Sequence, residues 1–173
     1  SFGSFNTRKH TLSFGTGLHN NFELNGRISN IASDGFIDRA TSNMFGYFFN
    51  ANYVKESTLI KFLAFGGKEK TYQAWYGIED PEKLRNDRTF NPAGMYFDEF
   101  GNMKFYNNET DNYWQNHFQL HWTEKWSDKW ISNAALHYTI GKGYFEQYKE
   151  DEDLADYNLP AFNGNSISDL VRK

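Results

Sequence analysis

Apolar and polar residues alternate with period two along six stretches of the chain, and the links between those stretches alternate short and long. Successive side chains of a strand point to opposite faces, so this period predicts strands with one apolar and one polar side. The first spans 7–18, with Leu12, Phe14 and Leu18 against Lys9, Thr11, Ser13, Gly15 and Gly17. After the tight turn His19-Asn20-Asn21 the second, 22–30, sets Phe22, Leu24 and Ile28 against Glu23, Asn25, Arg27 and Ser29. Placing Leu18 across from Phe22 makes the two apolar faces coincide, as hairpin register requires. A third strand over 44–54 carries Phe45, Tyr47, Phe49, Ala51 and Tyr53 opposite Gly46, Asn50 and Asn52. The fourth, 58–65, alternates least cleanly, because Leu59 and Leu63 share a face with Lys61. In the fifth, 114–123, Trp114, Phe118, Leu120 and Trp122 alternate with Gln115, His117, Gln119, His121 and Thr123. The sixth, 130–140, opposes Trp130, Ala134, Leu136, Tyr138 and Ile140 to Asn133, His137 and Thr139.

The hairpins one-two, three-four and five-six close with short turns, while 31–43, 66–113 and 141–173 are long segments at the other edge. A protein inserted from one side of a membrane segregates loop length in this way, with brief periplasmic turns and extended external loops. The prediction is therefore all-β: an antiparallel transmembrane β-barrel segment of about six strands. Each strand has about the 9–11 residues that cross a bilayer at a tilt. Trp122, Trp126, Trp130 and Tyr53 gather near the short turns, where amphipathic rings suit the headgroup boundary. Loop 66–113 is too long to be a simple connector. Within it, Asp80-Pro81-Glu82 reads as a capped helix start, Asn91-Pro92-Ala93-Gly94 as a turn, and 95–106 as a small hairpin around Gly101.

Composition sharpens this picture. Aromatics make up 19% of 173 residues, yet mean hydropathy is -0.78, and no apolar run approaches the roughly 18 residues of a membrane helix. Barrels escape hydropathy scans because only alternate residues are apolar. A net charge of -4 provides no basic footprint for nucleic acid, and the absence of cysteine removes disulfides and thiol chemistry. No signal peptide is visible ahead of the first strand, so an N-terminal portion is expected to precede Ser1.

The stretches Ser13-Phe14-Gly15-Thr16-Gly17, Ser33-Asp34-Gly35-Phe36-Ile37-Asp38-Arg39-Ala40, Thr71-Tyr72-Gln73-Ala74-Trp75-Tyr76-Gly77-Ile78, Asn108-Glu109-Thr110-Asp111-Asn112-Tyr113 and Ala135-Leu136-His137-Tyr138-Thr139 carry a likeness. Together they resemble the barrel region of TonB-dependent outer-membrane receptors. The resemblance implies a bacterial outer-membrane address and energised uptake of a scarce large solute of the iron-siderophore, haem or cobalamin class. It also implies partners: outer-membrane lipid, the extracellular solute, TonB acting through a plug domain not in this chain, and a surface lipoprotein. Six strands cannot close the lumen of such a transporter, which has 22 strands, so the resemblance implies that 1–173 is an internal piece, part of the barrel domain of a larger receptor.

Two constellations are candidates for contact with the solute. Lys9, Glu23, Arg27, Gln115, His117, Gln119, His121 and His137 share the predicted lumen face. If Trp122 opposes Ser132, His117 falls across from His137; a metal or haem iron is one reading, hydrogen bonds to plug or water the plainer one. No metal, cofactor or catalytic set is assigned, and no enzyme is expected. The ring-rich loop offers Tyr72, Trp75, Tyr76, Tyr96, Phe97 and Tyr106 as a ligand surface, with packing of the loop on itself as the alternative. The acidic run Glu150-Asp151-Glu152-Asp153 with Asp156 reads as a solvated loop rather than a calcium site, since it lacks a calcium-loop spacing. Two other readings remain: a small outer-membrane barrel or adhesin that binds partners through its loops, and a soluble β-sandwich that binds carbohydrate.

Overall fold

The computed structural model describes every residue, Ser1–Lys173. Ten strands form: β1 (Phe2–Gly3), β2 (Thr7–Gly15), β3 (Phe22–Ser33), β4 (Ser42–Lys55), β5 (Thr58–Tyr72), β6 (Met95–Phe97), β7 (Met103–Phe105), β8 (Thr110–Ser127), β9 (Trp130–Asp153) and β10 (Ile167–Arg172). A single helical turn and a half, α1 (Pro81–Asn86), and a 3-10 helix (Leu154–Tyr157) complete the chain. Eight strands make one open sheet in the order β1-β2-β3-β4-β5-β8-β9-β10, and β6 pairs with β7 alone. Every neighbour in the large sheet is also the next large-sheet strand in sequence, which is the up-and-down meander that hairpin connections produce. The sheet does not close into a barrel.

The expected count of six strands is corrected to ten. All six are present, but the polar or aromatic alternation carries several of them past membrane length. β5 runs on to Tyr72 and β8 begins at Thr110, so the connector is shorter than 66–113. Likewise 141–173 is not a loop: β9 extends to Asp153, and β10 pairs back on it with Ile167 opposite Asp153 and Arg172 opposite Gln147. The first strand ends at Gly15 rather than 18, and its hairpin closes through a lone bridge between His19 and Phe22. Its register is the expected one, with Leu12 opposite Ile28 and Phe14 opposite Gly26. Glycine is needed there: a Cβ on Gly26 would stand 2.2 Å from the Phe14 ring, which lies across it.

The chain divides into two compact units. The first comprises Ser1–Ser33, Asn43–Glu69 and Tyr113–Lys142, and contains most of the forecast strands. One of its faces is apolar and bare: Leu12, Phe14, Phe22, Leu24, Ile28, Ile60, Phe62, Leu120, Leu136, Tyr138 and Ile140 are exposed, Phe14 at 57% and Leu136 at 71%. Phe62, Phe118, Leu120, Leu136 and Tyr138 line a shallow groove together, which fixes the facing of β5: Ile60, Phe62 and Ala64 lie on the apolar side. Leu59, Lys61 and Leu63 therefore take the other side, along with Phe65.

The second unit comprises Asp34–Ser42, Lys70–Asn112 and Gly143–Lys173. Here the chain does build a small interior. Tyr72, Ala93 and Leu154 are buried, as are Gln73, Asn91, Glu109, Thr110, Glu146 and Gln147. Asp80 caps α1 by accepting from the Glu82 amide at 2.9 Å, and the proline follows at the first turn as the sequence predicts. The β6–β7 hairpin pairs Met95 with Phe105 and Phe97 with Met103 around Gly101, whose φ of 77° suits glycine.

Candidate functional site

On the polar face of the first unit, four rings form a ladder across neighbouring strands. Phe48 and Phe65 lie 6.5 Å apart, Phe65 and His117 stack at 4.8 Å, and His117 and His137 stack at 6.2 Å with planes 10° apart. The two histidines share a face as expected, but diagonally and not directly across: Gly141 packs on Gln115 and Thr123 bonds Asn133 at 2.8 Å, so Thr139 faces His117 and the assumed register of Trp122 with Ser132 is two residues out. Thr139 Oγ1 bridges the two histidines, 2.9 Å from His117 Nδ1 and 2.6 Å from His137 Nε2. Of the other predicted lumen residues, His121 bonds Gln119 at 3.1 Å, Gln115 accepts from the Tyr113 hydroxyl at 2.7 Å, and Glu23 accepts from Asn52 at 2.8 Å. Lys9 and Arg27 are exposed. No three His, Asp or Glu side chains gather as metal ligands.

The loop aromatics of the second unit separate into two kinds. Tyr72 is structural: its buried hydroxyl donates to the carbonyls of Ala93 at 3.1 Å and Tyr106 at 2.7 Å. Tyr96 and Tyr106 sandwich Tyr148 at 4.7 and 5.6 Å, and the Tyr106 hydroxyl donates to Glu146. These rings serve the interior, as the packing alternative holds. Trp75, Tyr76 and Phe97, by contrast, are exposed. Trp75 stands edge-on to Tyr76 at 6.3 Å, and Gln147 Nε2 donates to the Tyr76 hydroxyl at 3.0 Å.

Three side chains that sequence reasoning missed hold this unit together. Asn91, 1% exposed, donates to the carbonyls of Asp38 at 3.0 Å and Gln73 at 2.9 Å and accepts from the Ala93 amide at 3.1 Å. Arg39 donates to the Asn91 carbonyl and lies 3.5 Å over the Phe105 ring. Glu109, 1% exposed, accepts from the Tyr148 amide at 2.9 Å. Burial pushes the Glu109 carboxyl above its ordinary range, opposed by the Tyr148 and Gln147 hydrogen bonds and the charges of Lys149 and Arg172. Glu146 goes the other way. Its burial would raise it, but hydrogen bonds from Asn108, Tyr106 and Lys173, with the Lys173 ammonium 3.0 Å away, hold it down at about 2. The same carboxylate, with burial added, pushes the Tyr106 phenol up to about 12. No period-two signal marks this network: beyond Ile140 both faces mix rings with polar groups, Tyr144 and Tyr148 with Glu146 and Glu150 on one side, Phe145 with Gln147 and Lys149 on the other.

No family model, curated protein or solved structure matches the chain. Three acids of 150–156 act as internal acceptors: Glu150 takes the Phe97 amide, Glu152 the Tyr157 hydroxyl and Asp153 the Ala155 amide.

Proposed function

We propose that the chain is part of the wall of a bacterial outer-membrane β-barrel, a segment of a TonB-dependent transporter that imports a scarce large solute. The observation that carries this reading is the exposed apolar face of the first unit, backed by a polar face with histidines and amides. Water penalises such a face, since a large contiguous apolar patch marks an interaction surface. Hydrocarbon on one side and a polar lumen on the other account for both faces at once. The strands of the first unit then span the bilayer, and Trp122, Trp126 and Trp130 sit at its periplasmic boundary. Trp75, Tyr76 and Phe97 of the second unit are the rings offered to the solute. Transport needs further strands to complete the wall and a plug to couple to TonB. The soluble-sandwich alternative lacks a second layer, because the only other sheet is the two-stranded β6–β7 hairpin.

Reconstitution into vesicles containing brominated phospholipid tests the membrane reading. Bromine quenches indole emission on contact, so Trp122 and Trp130 should be quenched and Trp75 spared. A chain that stays dispersed in buffer without detergent, with all five tryptophans unquenched, would sink it. Solute uptake that persists when the gene is deleted would remove the transport role alone.

A further inference from the structure

The two units differ sharply in charge. In the first, nine lysines and arginines face five acids, a formal charge of +4; in the second, nine face seventeen, a formal charge of -8. Within the second unit lies a groove of about 330 Å³ lined by Tyr76, Glu79, Asp80, Lys83, Phe90 and Pro92. That volume is at the small end of ligand sites. Its walls combine two aromatic faces with two carboxylates, the chemistry that seats an organic cation. One cation is already there: the Lys83 ammonium lies 3.2 Å over the Phe90 ring. The side chain is tethered by its own backbone, so it marks the seat without filling the groove.

We propose that this groove binds a positively charged group, a primary amine or guanidinium carried by the solute, with Phe90 and Tyr76 as its ring faces and Glu79 as its counter-charge. The proposal deepens the transport reading by naming the chemistry of the solute that the exposed unit admits. Negative potential over the second unit raises the local concentration of cations and repels anions. Solutes that present a free amine are therefore favoured, and haem carboxylates or anionic ferric complexes are disfavoured at this point of entry. Lys83 acts as a tethered competitor that an incoming cation displaces from the ring.

Calorimetric titration of the full chain in detergent micelles tests this, with tetralysine amide, citrate and maltotriose as probes. Tetralysine should bind saturably and more weakly as salt rises, while citrate and maltotriose should not bind. Phe90→Leu and Glu79→Gln should each weaken tetralysine about tenfold, the scale of one cation–π or charge contact. Lys83→Met, which vacates the ring, should strengthen it. Asp156→Asn, outside the groove, controls for the general field and should leave affinity nearly unchanged. Equal binding of citrate or maltotriose, no binding of tetralysine, or losses from Asp156→Asn as large as those from Glu79→Gln would overturn the assignment. Failure here leaves the lipid-facing reading intact. A chain that is soluble without detergent yet binds tetralysine as described would overturn only that reading.

Discussion

The Tyr47 hydroxyl donates to Asn116 Oδ1 at 2.8 Å, and the two residues belong to strands that are not neighbours: β4 and β8 flank β5. Their side chains meet across β5 where it carries Ala64 and Gly66. A Cβ on Gly66 would fall 2.4 Å from Asn116 Oδ1 and 2.3 Å from the Gln115 carbonyl. Small residues on the middle strand thus open the path for a bond between its neighbours. Asn116 is the polar interruption in the Trp114, Phe118, Leu120, Trp122 face, and in hydrocarbon an amide must find a partner within the protein.

Removing that partner should be costly. Tyr47→Phe leaves the Asn116 carbonyl oxygen without its donor, a loss of about 1–3 kcal/mol for an unsatisfied buried polar group. Asn116→Leu in the same chain should recover most of it, because the apolar face then has no polar group to satisfy. Urea titration of the protein in lipid vesicles measures both. A Tyr47→Phe chain as stable as the parent would show that the amide is satisfied elsewhere.

Asn91 offers a second prediction, in the other unit. Its side chain ties Asp38, Gln73 and Ala93 together through three hydrogen bonds. Asn91→Ala should cost about 2–3 kcal/mol, since two buried carbonyls lose a donor and one amide its acceptor. The loss is local, so hydrogen exchange should accelerate in 34–42 and 70–94 while the amides of β2 and β3 keep their protection. Uniform acceleration through the chain would contradict this.

What was legible in the sequence, and what was not, follows from these two environments. The Leu12, Phe14, Phe22, Leu24 and Ile28 face was readable because it rests on period two alone, and so was the shared face of His117 and His137, but the register assumed for their strands was two residues out because the turn between them falls at Asp128-Lys129. Leu59 and Leu63 confused the reading of the fourth strand because they share a face with Lys61, and that polar face also packs rings, as Phe65 stacks on His117. Strand ends beyond Phe65 and Ile140 were hidden by a length limit taken from bilayer thickness, whereas β5 and β9 run on to Tyr72 and Asp153. Asn91, Glu109 and Glu146 lay beyond reach because their partners come from distant segments; a buried asparagine looks like a turn residue until Asp38 and Gln73 are beside it.

Acid should loosen the second unit in a defined window. Glu146 titrates near 2 when folded and in the ordinary carboxylate range when unfolded, so its stabilising contribution is fully present above about pH 4.5. Below that the unfolded chain takes up a proton that the folded one refuses, and the contribution fades as pH falls towards 2. Limited proteolysis of 143–173 between neutral pH and pH 3 should show increasing cleavage. Glu146→Gln should flatten that dependence, at the price of lower protection at neutral pH. Acid-insensitive cleavage in the parent chain would mean that Lys173 and Tyr106 do not hold the carboxylate as described.

Arginine placed on either side of one strand separates the two faces directly. Leu136 is 71% exposed on the apolar side, while Ala135, one residue away, points with His137 to the polar side. In a bilayer, Leu136→Arg puts a guanidinium into hydrocarbon at a cost of about 2–4 kcal/mol near the midplane, whereas Ala135→Arg places it in a watery lumen at little cost. In water alone the order reverses in sense: Leu136→Arg removes a bare apolar side chain and should improve solubility. Folding yields of both variants into vesicles and into buffer give four numbers. The lipid-facing reading requires that Leu136→Arg fold poorly only in vesicles and that Ala135→Arg fold normally there; equal yields for the two in lipid would mean that β9 does not present one face to hydrocarbon and the other to a polar space.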